Sequence, residues 1–555
     1  MATREIHMSS AAREEQAFPR LNAAQLERLA SRGRRRRVQS GEVLWESGAA
    51  VVPFVVVIEG QLEMTVHTAA QDTVVAHHGP GQFTGDVNML SGRRALAAAR
   101  ATEGGEVIEV DRETLLALVQ TDSDLSEILM RAFITRRVEL IAQGAGDVVL
   151  IGSMYCSDTL RLKDFLTRNG HPYAYIDLDR DADVQELLDR FHVGIDDVPV
   201  VLCRGEVVLK NPTNQALAEC LGFNVAIDAL QVRDLIIIGG GPAGLAAAVY
   251  GASEGLDVLV LEANAPGGQA ASSSKIENYL GFPTGISGHD LAGRAYTQAE
   301  KFGAQVMIAR GATRLLCSRR PFRIEMENGQ SVAARSVIIA TGAEYRKLSV
   351  ENVARYEGMG VYYGATPMES QLCRGEEVII VGGGNSAGQA AVYLAQSARR
   401  VHVLVRGEAL ADTMSRYLVR RIEDSPDIDL RTSSEIVGLA GEDHLERVDV
   451  RDLRTGSTAT LPIRHVFVMT GAVPATGWLD TCLALDEKGF IKTGPDLTPE
   501  ELAEWPLPRP PHLLETNQPG VFAVGDVRSG NVKRVASAVG EGSIAVSFVH
   551  RVLQE

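Results

Sequence analysis

The rhythm of hydrophobic and polar positions changes along the chain and divides it into three parts. Up to about residue 143, short apolar stretches alternate with glycine turns. "GEVLWESGA", "PFVVVIEGQLEMTV" and "TVVAHHGPGQF" predict strand–turn–strand units. Apolar residues then recur at helical spacing through "RETLLALVQTDSDLSEILMRAFITRRVELIAQ", so a β-roll is followed by helices. From Asp147 the segments "DVVLIGS", "DTLRLKDFLTRNG", "YAYIDLD", "ADVQELLDRFHV" and "DVPVVLCRGEVVLK" predict strand, helix, strand, helix and two strands, closed by a helix near Leu217. From Asp234 onward, strands of the fully buried type alternate with helices. The stretch "PEELAEWPLPRPPHLLE" is proline-rich and reads as a surface loop.

Composition narrows the function classes. A chain of 555 residues has room for three or four domains. Its formal charge of −16 argues against nonspecific binding to nucleic acid or anionic membranes. The run Arg34-Arg35-Arg36-Arg37 reads as a solvated strand edge or loop within that acidic background, with a polyanion contact as the alternative. No apolar run approaches the roughly 20 residues of a membrane-spanning helix, and "MATREIHMSSAAREEQ" has no apolar core of a signal peptide. The six cysteines, Cys156, Cys203, Cys220, Cys317, Cys373 and Cys482, form no Cys-x-x-Cys. That excludes a zinc knuckle, indicates no disulfide framework and no metal site, and points to a reducing cytoplasm.

Two glycine turns carry the chemistry. "LIIIGGGPAG" runs an apolar strand into Gly239-x-Gly241-x-x-Gly244, and the next strand, "DVLVLEA", ends in Glu262. Glycines there permit a tight turn and close approach of backbone amides to a pyrophosphate, and the acid suits a ribose hydroxyl pair. The second turn, "VIIVGGGNSAGQA", gives Gly382-x-Gly384-x-x-Ala387, and its following strand "VHVLVRG" ends in Arg406. A carboxylate there would repel a 2′-phosphate, whereas an arginine can grip it, so NADPH is expected over NADH. Two such turns imply a flavin enzyme reduced by a nicotinamide.

From Asp234 to Glu555 the chain resembles the low-molecular-weight thioredoxin reductase family. The resemblance rests on "GGPAGLAAAVY", "APGGQAASSSKIENYLGFP", "VIIATGAEYRKL", "VIIVGGGNSAGQAAVYLA", "RHVFVMTGAVPATGWL" and "GVFAVGDVRSGNVKRVASAVGEGSIA". It implies an FAD-binding domain over 233–347 and 471–555 and an NAD(P)H-binding domain over 348–470. It places Gly268, Gln269 and Asn278 along the FAD. Thr341 and Gly342 would lie near its pyrophosphate, and Asp526, after Gly525, on the ribityl chain. Arg534, Val535 and Ala536 would lie near the flavin ring. The family is also dimeric, and its nicotinamide domain swings so that the flavin meets first a dithiol and then NADPH. Here the two cysteine positions of that dithiol are Gly364 and Pro367. Neither can accept reducing equivalents, so the usual internal route to thioredoxin is absent.

The two upstream parts carry their own resemblances. Residues 147–225 are similar to the glutaredoxin/thioredoxin fold through "MYCSDTLRLKDFL" and "DDVPVV". Cys156 takes the first redox position, Thr159 the second, and Pro199 that of a cis-proline facing Cys156. Residues 1–143 resemble a cyclic-nucleotide-binding domain, in which "GPGQFTGDVNMLSGRRALAAARA" matches the phosphate-binding cassette. That family binds the cyclic phosphate with backbone amides and an arginine, and the ribose with a glutamate. Gly85 and Arg94 fit these roles, with Asp86 in place of the glutamate, so the resemblance implies either a cyclic nucleotide effector or a degenerate domain used for dimer contacts. The expected fold is therefore multidomain: a β-roll with helices, a thioredoxin-like α/β module and two Rossmann-like α/β domains. The expected function is transfer of hydride from NADPH to FAD and on to a thioredoxin-like or other redox partner. A reductase of a quinone, ferredoxin or oxygen, or a ligand-sensing scaffold with a slow flavin core, are the alternatives.

Overall fold

The structure, a computed structural model, describes residues 15–67, 72–86, 88–142, 148–154, 156–179, 197–203, 207–228, 230–273, 275–317, 320–410, 414–442, 444–479 and 482–555; counts and absences below refer to these. The chain divides into two compact units. One holds Met1–Met154, Arg161–Asp228 and Thr297–Ala309, and the other holds Tyr155–Leu160, Ala229–Tyr296 and Arg310–Glu555.

In the first unit, α1 (Ala23–Arg32) opens on a capping box between Asn22 and Gln25 and leads into a β-roll. Its strands are β1 (Arg34–Val38), β2 (Val43–Trp45), β3 (Phe54–His67), β4 (Asp72–His78) and β5 (Ala98–Val110), in the antiparallel order β1-β5-β3-β4 with β2 on β5. The arginine run is the edge strand β1, and cross-strand carboxylates engage it. Glu109 meets Arg34 at 3.0 Å and Arg36 at 2.6 Å, and Glu106 meets Arg35 at 3.5 Å. Charged edges of this kind block strand addition. The roll closes over buried Phe54 and Phe83, against which Phe133 packs edge-on from the long helix α4 (Ser123–Ala142). Between the roll and that helix lie α2 (Asn88–Ser91) and α3 (Arg112–Thr121).

The thioredoxin-like sheet has the order β7-β6-β8-β9, from β6 (Val148–Gly152), β7 (Ala174–Asp177), β8 (Val200–Cys203) and β9 (Val207–Lys210). Parallel β6–β7 and antiparallel β6–β8–β9 pairing is what the strand pattern requires. Helix α5 (Ser157–Arg168) follows Cys156, and α6 (Asn214–Leu221) ends on Gly222 in the left-handed region. The helix expected over "ADVQELLDRFHV" lies outside the described residues.

The second unit is built on two sheets of buried parallel strands. In the first, β10 (Val232–Ile238) lies between β11 (Val258–Glu262) and β15 (Ser331–Ile339), with β26 (Val521–Ala523) also on β15. The antiparallel strands β14 (Phe322–Met326) and β13 (Ala312–Leu316) extend it. The second sheet has the order β17-β24-β18-β19-β20: β17 (Val361–Tyr362), β18 (Glu377–Val381), β19 (Arg400–Leu404), β20 (Ile428–Arg431) and β24 (His465–Val468). A separate antiparallel layer, β21 (Ser434–Ala440), β22 (Arg447–Asp452) and β23 (Thr458–Leu461), packs its Ile436, Val448 and Val450 onto it. The antiparallel pair β16 (Ala343–Tyr345) and β25 (Ala472–Pro474) carries the two chain crossings between the sheets.

The structure corrects the reading of the cysteines on one point. Cys317 and Cys482 are joined, with Cα atoms 6.3 Å apart and 165 residues between them in sequence. No local spacing signals such a pair. The proline-rich loop is pinned rather than loose: Arg509 bonds Glu515 at 2.7 Å and Glu555 at 2.6 Å, and Glu515 is fully buried. No helix is long and apolar enough to cross a membrane among the described residues.

Candidate active site

The first glycine turn is fixed by packing on one side and open on the other. A Cβ on Gly239, whose φ is +104°, would stand 2.3 Å from the Ala340 carbonyl oxygen. One on Gly244 would stand 1.9 Å from the Gly239 carbonyl oxygen. Both positions need glycine for backbone approach. At Gly241 the only near atom is the Gly268 Cα, at 3.9 Å. This open cradle lies before helix α7 (Pro242–Ser253), which starts with proline and has no side-chain cap. Uncapped amides and open space at a helix N-terminus suit a pyrophosphate. Glu262, buried at the end of β11, accepts the Gly240 N–H at 2.6 Å and the Asn264 N–H at 2.9 Å. It therefore braces the turn as well as standing where a ribose would be held.

Of the expected flavin residues, Gly268, Thr341 and Gly525 approach that turn from distant parts of the chain. Gly268, at φ +53°, approaches Gly241, and Gly525, at φ +73°, lies against Ala243. Gln269 and Asn278 are exposed. Thr341 donates its hydroxyl to the Ala475 carbonyl at 2.9 Å, and the Gly342 carbonyl accepts from Ala475 N at 3.1 Å, tying the two chain crossings together. Glu541 holds the Gly525 N–H at 2.7 Å and Arg528 at 2.6 Å. Desolvation raises the half-buried Asp526 carboxyl above its ordinary range, with Lys533 opposing and Glu541 adding to the shift. Arg534 is the N-cap of α12 (Val535–Gln554), whose first turn holds Val535 and Ala536 and receives no side-chain cap. Open glycine cradles, uncapped helix starts and a desolvated acid together fit a flavin dinucleotide.

The second turn repeats the device. Gly382, at φ +148°, would place a Cβ 2.5 Å from the Met469 carbonyl oxygen, whereas Gly384 has open space before it. Ala387 is fully buried in α10 (Asn385–Leu394), again without a side-chain cap. Arg406 is exposed and lies 3.5 Å from Glu435, which also binds Arg451 at 2.9 Å. Tyr345, unremarked in the sequence, hydrogen-bonds Ser386 at the start of α10. Burial raises its phenol pKa, and the Asp526 charge adds to the shift.

The cysteine-free loop sits against the flavin-type domain. Ala365 bridges Ser273 in parallel, and a Cβ on Gly364 would approach only Ser272, at 3.7 Å. In place of a dithiol the loop has a cap: Glu369 accepts the Thr366 N–H at 2.8 Å and the Thr366 hydroxyl, starting α9 (Pro367–Leu372). Cys373 is fully buried, and desolvation pushes its thiol up to about 11. A thiol so placed is inert at neutral pH. Cys156 is half-buried just before α5, the Val198–Pro199 peptide is cis, and Thr159 is fully buried in the second redox position.

In the β-roll a cavity of about 90 Å³, partly open to solvent, lies under the cassette and includes Gly85 and Asp86 in its wall. Arg94 is not in that wall. Its Nη1 donates to the Gly48 carbonyl at 3.4 Å, and its stem packs on Gly222. The cations at the cavity are Arg93 and Arg136, neither singled out by the sequence motif. Asp86 lies 3.7 Å from Arg137 and accepts the Asn88 N–H at 2.8 Å. A second, smaller pocket joins the roll to the thioredoxin-like module, lined by Arg93, Arg94, Arg137, His171 and Phe223.

Comparison with known proteins agrees with this layout. The sequence profile of the pyridine nucleotide-disulphide oxidoreductases matches residues 233–542, that of the cyclic nucleotide-binding domain 35–122 and that of glutaredoxin 148–208. The thioredoxin reductase of Bacillus subtilis (strain 168) is 31% identical over 59% of this chain and 96% of its own length. The NADPH-dependent thioredoxin reductase 3 of Arabidopsis thaliana is 30% identical over 63% of this chain and 65% of its own. The crystal structure of Lactococcus lactis thioredoxin reductase in its FR conformation superposes with a TM-score of 0.52 at 29% identity, covering 58% of this chain and 99% of that one.

Proposed function

Because this chain belongs to the pyridine nucleotide-disulphide oxidoreductase family, as a thioredoxin reductase-like, NAD(P)H-dependent flavin oxidoreductase, we propose that it oxidises NADPH through bound FAD and passes the electron pair to a disulfide partner without a dithiol of its own beside the flavin. What supports this reading is that Gly364 and Pro367, the positions the family resemblance gives to the dithiol, are not cysteines, in a loop whose Ala365 bridges Ser273. Bound FAD supplies acceptance of a hydride and release of two electrons. In balance, NADPH, one proton and a disulfide yield NADP⁺ and two thiols.

The chain's own groups bind and orient. We assign the FAD domain to 233–347 and 471–555 and the NAD(P)H domain to 348–470. The α7 amides around Gly241 hold the pyrophosphate, Glu262 the adenosine ribose and Asp526 the ribityl chain. Arg406 grips the 2′-phosphate, and Tyr345 keeps the start of α10 in register with the flavin cradle. Cys156, on the thioredoxin-like module, attacks the partner's disulfide, forming a mixed disulfide and releasing one partner thiol; the electron pair from NADPH and a proton then cleave that bond, returning the Cys156 thiol and freeing the second partner thiol.

The test is anaerobic reduction of the flavin by NADPH, followed by turnover with a small disulfide and with thioredoxin. Disulfide turnover should fall at least about tenfold in Cys156→Ser, a loss of about 1.4 kcal/mol of transition-state stabilisation, and persist in Cys373→Ser. Full disulfide turnover in both variants removes Cys156 from the route. A second reading, direct reduction of a quinone or oxygen, is favoured by the open space at Gly364 and the inert Cys373. Rapid quinone turnover with no disulfide turnover selects it, and a flavin that NADPH does not reduce overturns both.

A further inference from the structure

The β-roll cavity carries a chemistry that its cassette motif does not describe. Its wall is apolar and ring-sized, built by Phe18, Trp45, Met64, Met89 and Leu96. Two polar side chains in that wall are more than nine-tenths buried and keep a nitrogen without a protein partner. His78 is 2% exposed and its Nδ1 is unpartnered. Arg136 is 7% exposed: Nε donates to the Ala17 carbonyl at 2.7 Å, Nη1 donates to the Gly85 carbonyl at 2.8 Å, and Nη2 is unpartnered. The guanidinium is sandwiched between Phe18 and Phe83, at 5.1 Å and 4.8 Å, which fixes its plane. A buried cation with a free donor is costly unless a ligand completes it.

The groups a cyclic nucleotide would use are engaged elsewhere. Asp86 is held by Arg137 and the Asn88 amide, and Arg94 lies outside the wall. The Asn88 side chain donates to the Arg94 carbonyl at 3.1 Å. Two cations, Arg93 and Arg136, and two carboxylates, Asp86 and Glu139, line the cavity, and Arg136 is the buried cation that keeps an unpartnered donor there.

We propose that this cavity binds an organic monoanion with an apolar, ring-sized body, an aryl or alkyl carboxylate, in preference to a cyclic nucleotide. The carboxylate accepts from Arg136 Nη2 and from His78 Nδ1–H, and the ring lies between Trp45, Met64 and Met89. Desolvation pulls Arg136 down to about 9 and holds His78 well below its ordinary value, so a bound anion relieves the one charge that burial penalises.

The experiment is calorimetry on the full-length protein at neutral pH with four probes: 2-naphthoate, its uncharged isostere 2-naphthamide, cyclic AMP and cyclic GMP. Naphthoate should bind once per chain, at least tenfold more tightly than the amide and more tightly than either cyclic nucleotide. It should also quench a tryptophan signal that is lost in Trp45→Phe. Arg136→Gln should weaken naphthoate at least tenfold. Because Arg136 also ties two carbonyls, the acid–amide pair on the native protein decides the matter even if that variant unfolds. Equal binding of acid and amide, no binding of naphthoate, or tighter binding of a cyclic nucleotide overturns the proposal.

Discussion

Arg406 stands at the tip of the second nicotinamide strand with a 71% exposed side chain and shares Glu435 with Arg451. The grip on a 2′-phosphate proposed for it would therefore be a solvent-screened, charge-assisted bond. Arg406→Ala should lower the NADPH-over-NADH preference in flavin reduction by about tenfold, the low end for a hydrogen bond to a charged group. Glu435→Gln should raise it a few-fold. An unchanged ratio in both would show that the phosphate is read elsewhere. The glycines offer a sharper contrast. Gly241 has φ −72° and open space, so Gly241→Ala should fold and lose FAD, whereas Gly244→Ala should lose the fold. Absorbance at flavin wavelengths beside a thermal melt separates the two. The turns were legible in the sequence because their constraint is local: a strand, three small residues and a helix. Arg136 and His78 were not, since their partnership exists only once a helix lies across the roll. The join of Cys317 to Cys482 was equally hidden, with 165 residues between them. Thiol counting on native protein should accordingly spare Cys317 and Cys482 as well as the buried Cys373, and label Cys156 first.

Among the elements, two ion pairs cross between the two parts of the second unit: Lys347–Glu357 at 2.8 Å, close to the chain crossing, and one distant in sequence. Arg421, in the last turn of α11 (Arg416–Glu423), bonds Glu277 at 2.7 Å beside the Ser273–Ala365 bridge. Both partners are partly exposed, so the pair is worth about 1 kcal/mol or less. If the nicotinamide domain must swing to bring its cofactor to the flavin, Arg421→Ala should change the rate of flavin reduction by NADPH by up to about fivefold. Stopped-flow measurement at low salt would detect it, and high salt should erase the difference. The Arg509–Glu515 pair belongs to the other class. Glu515 is fully buried, and Arg509→Met would leave its carboxylate without a cation, at a cost of about 3 kcal/mol in a denaturant melt. The sequence marked that region as a proline-rich loop and so as dispensable surface. Its anchoring depends on Glu515 and Glu555 meeting the same guanidinium, which no periodicity reports.

At the scale of the molecule, the order of modules was readable because each has its own strand rhythm, while the joints between modules were not. One joint stands out. Arg93 lines the β-roll cavity, and its guanidinium also lies 4.9 Å over the ring of Phe223, just past the end of α6 in the thioredoxin-like module. One side chain is thus held in common by a ligand chamber and a redox module. Thermodynamics makes such sharing symmetrical: if filling the chamber shifts the module, then any change in the module must alter the chamber's affinity by the same factor. A cation–π contact of this kind is worth about 1 kcal/mol, or roughly fivefold. Naphthoate affinity should therefore differ by about that factor between oxidised and NADPH-reduced protein, and Phe223→Leu should abolish the difference. With both proposals in force, the cavity would work as a gauge read in both directions, reporting the electron load of the chain to whatever small molecule it holds.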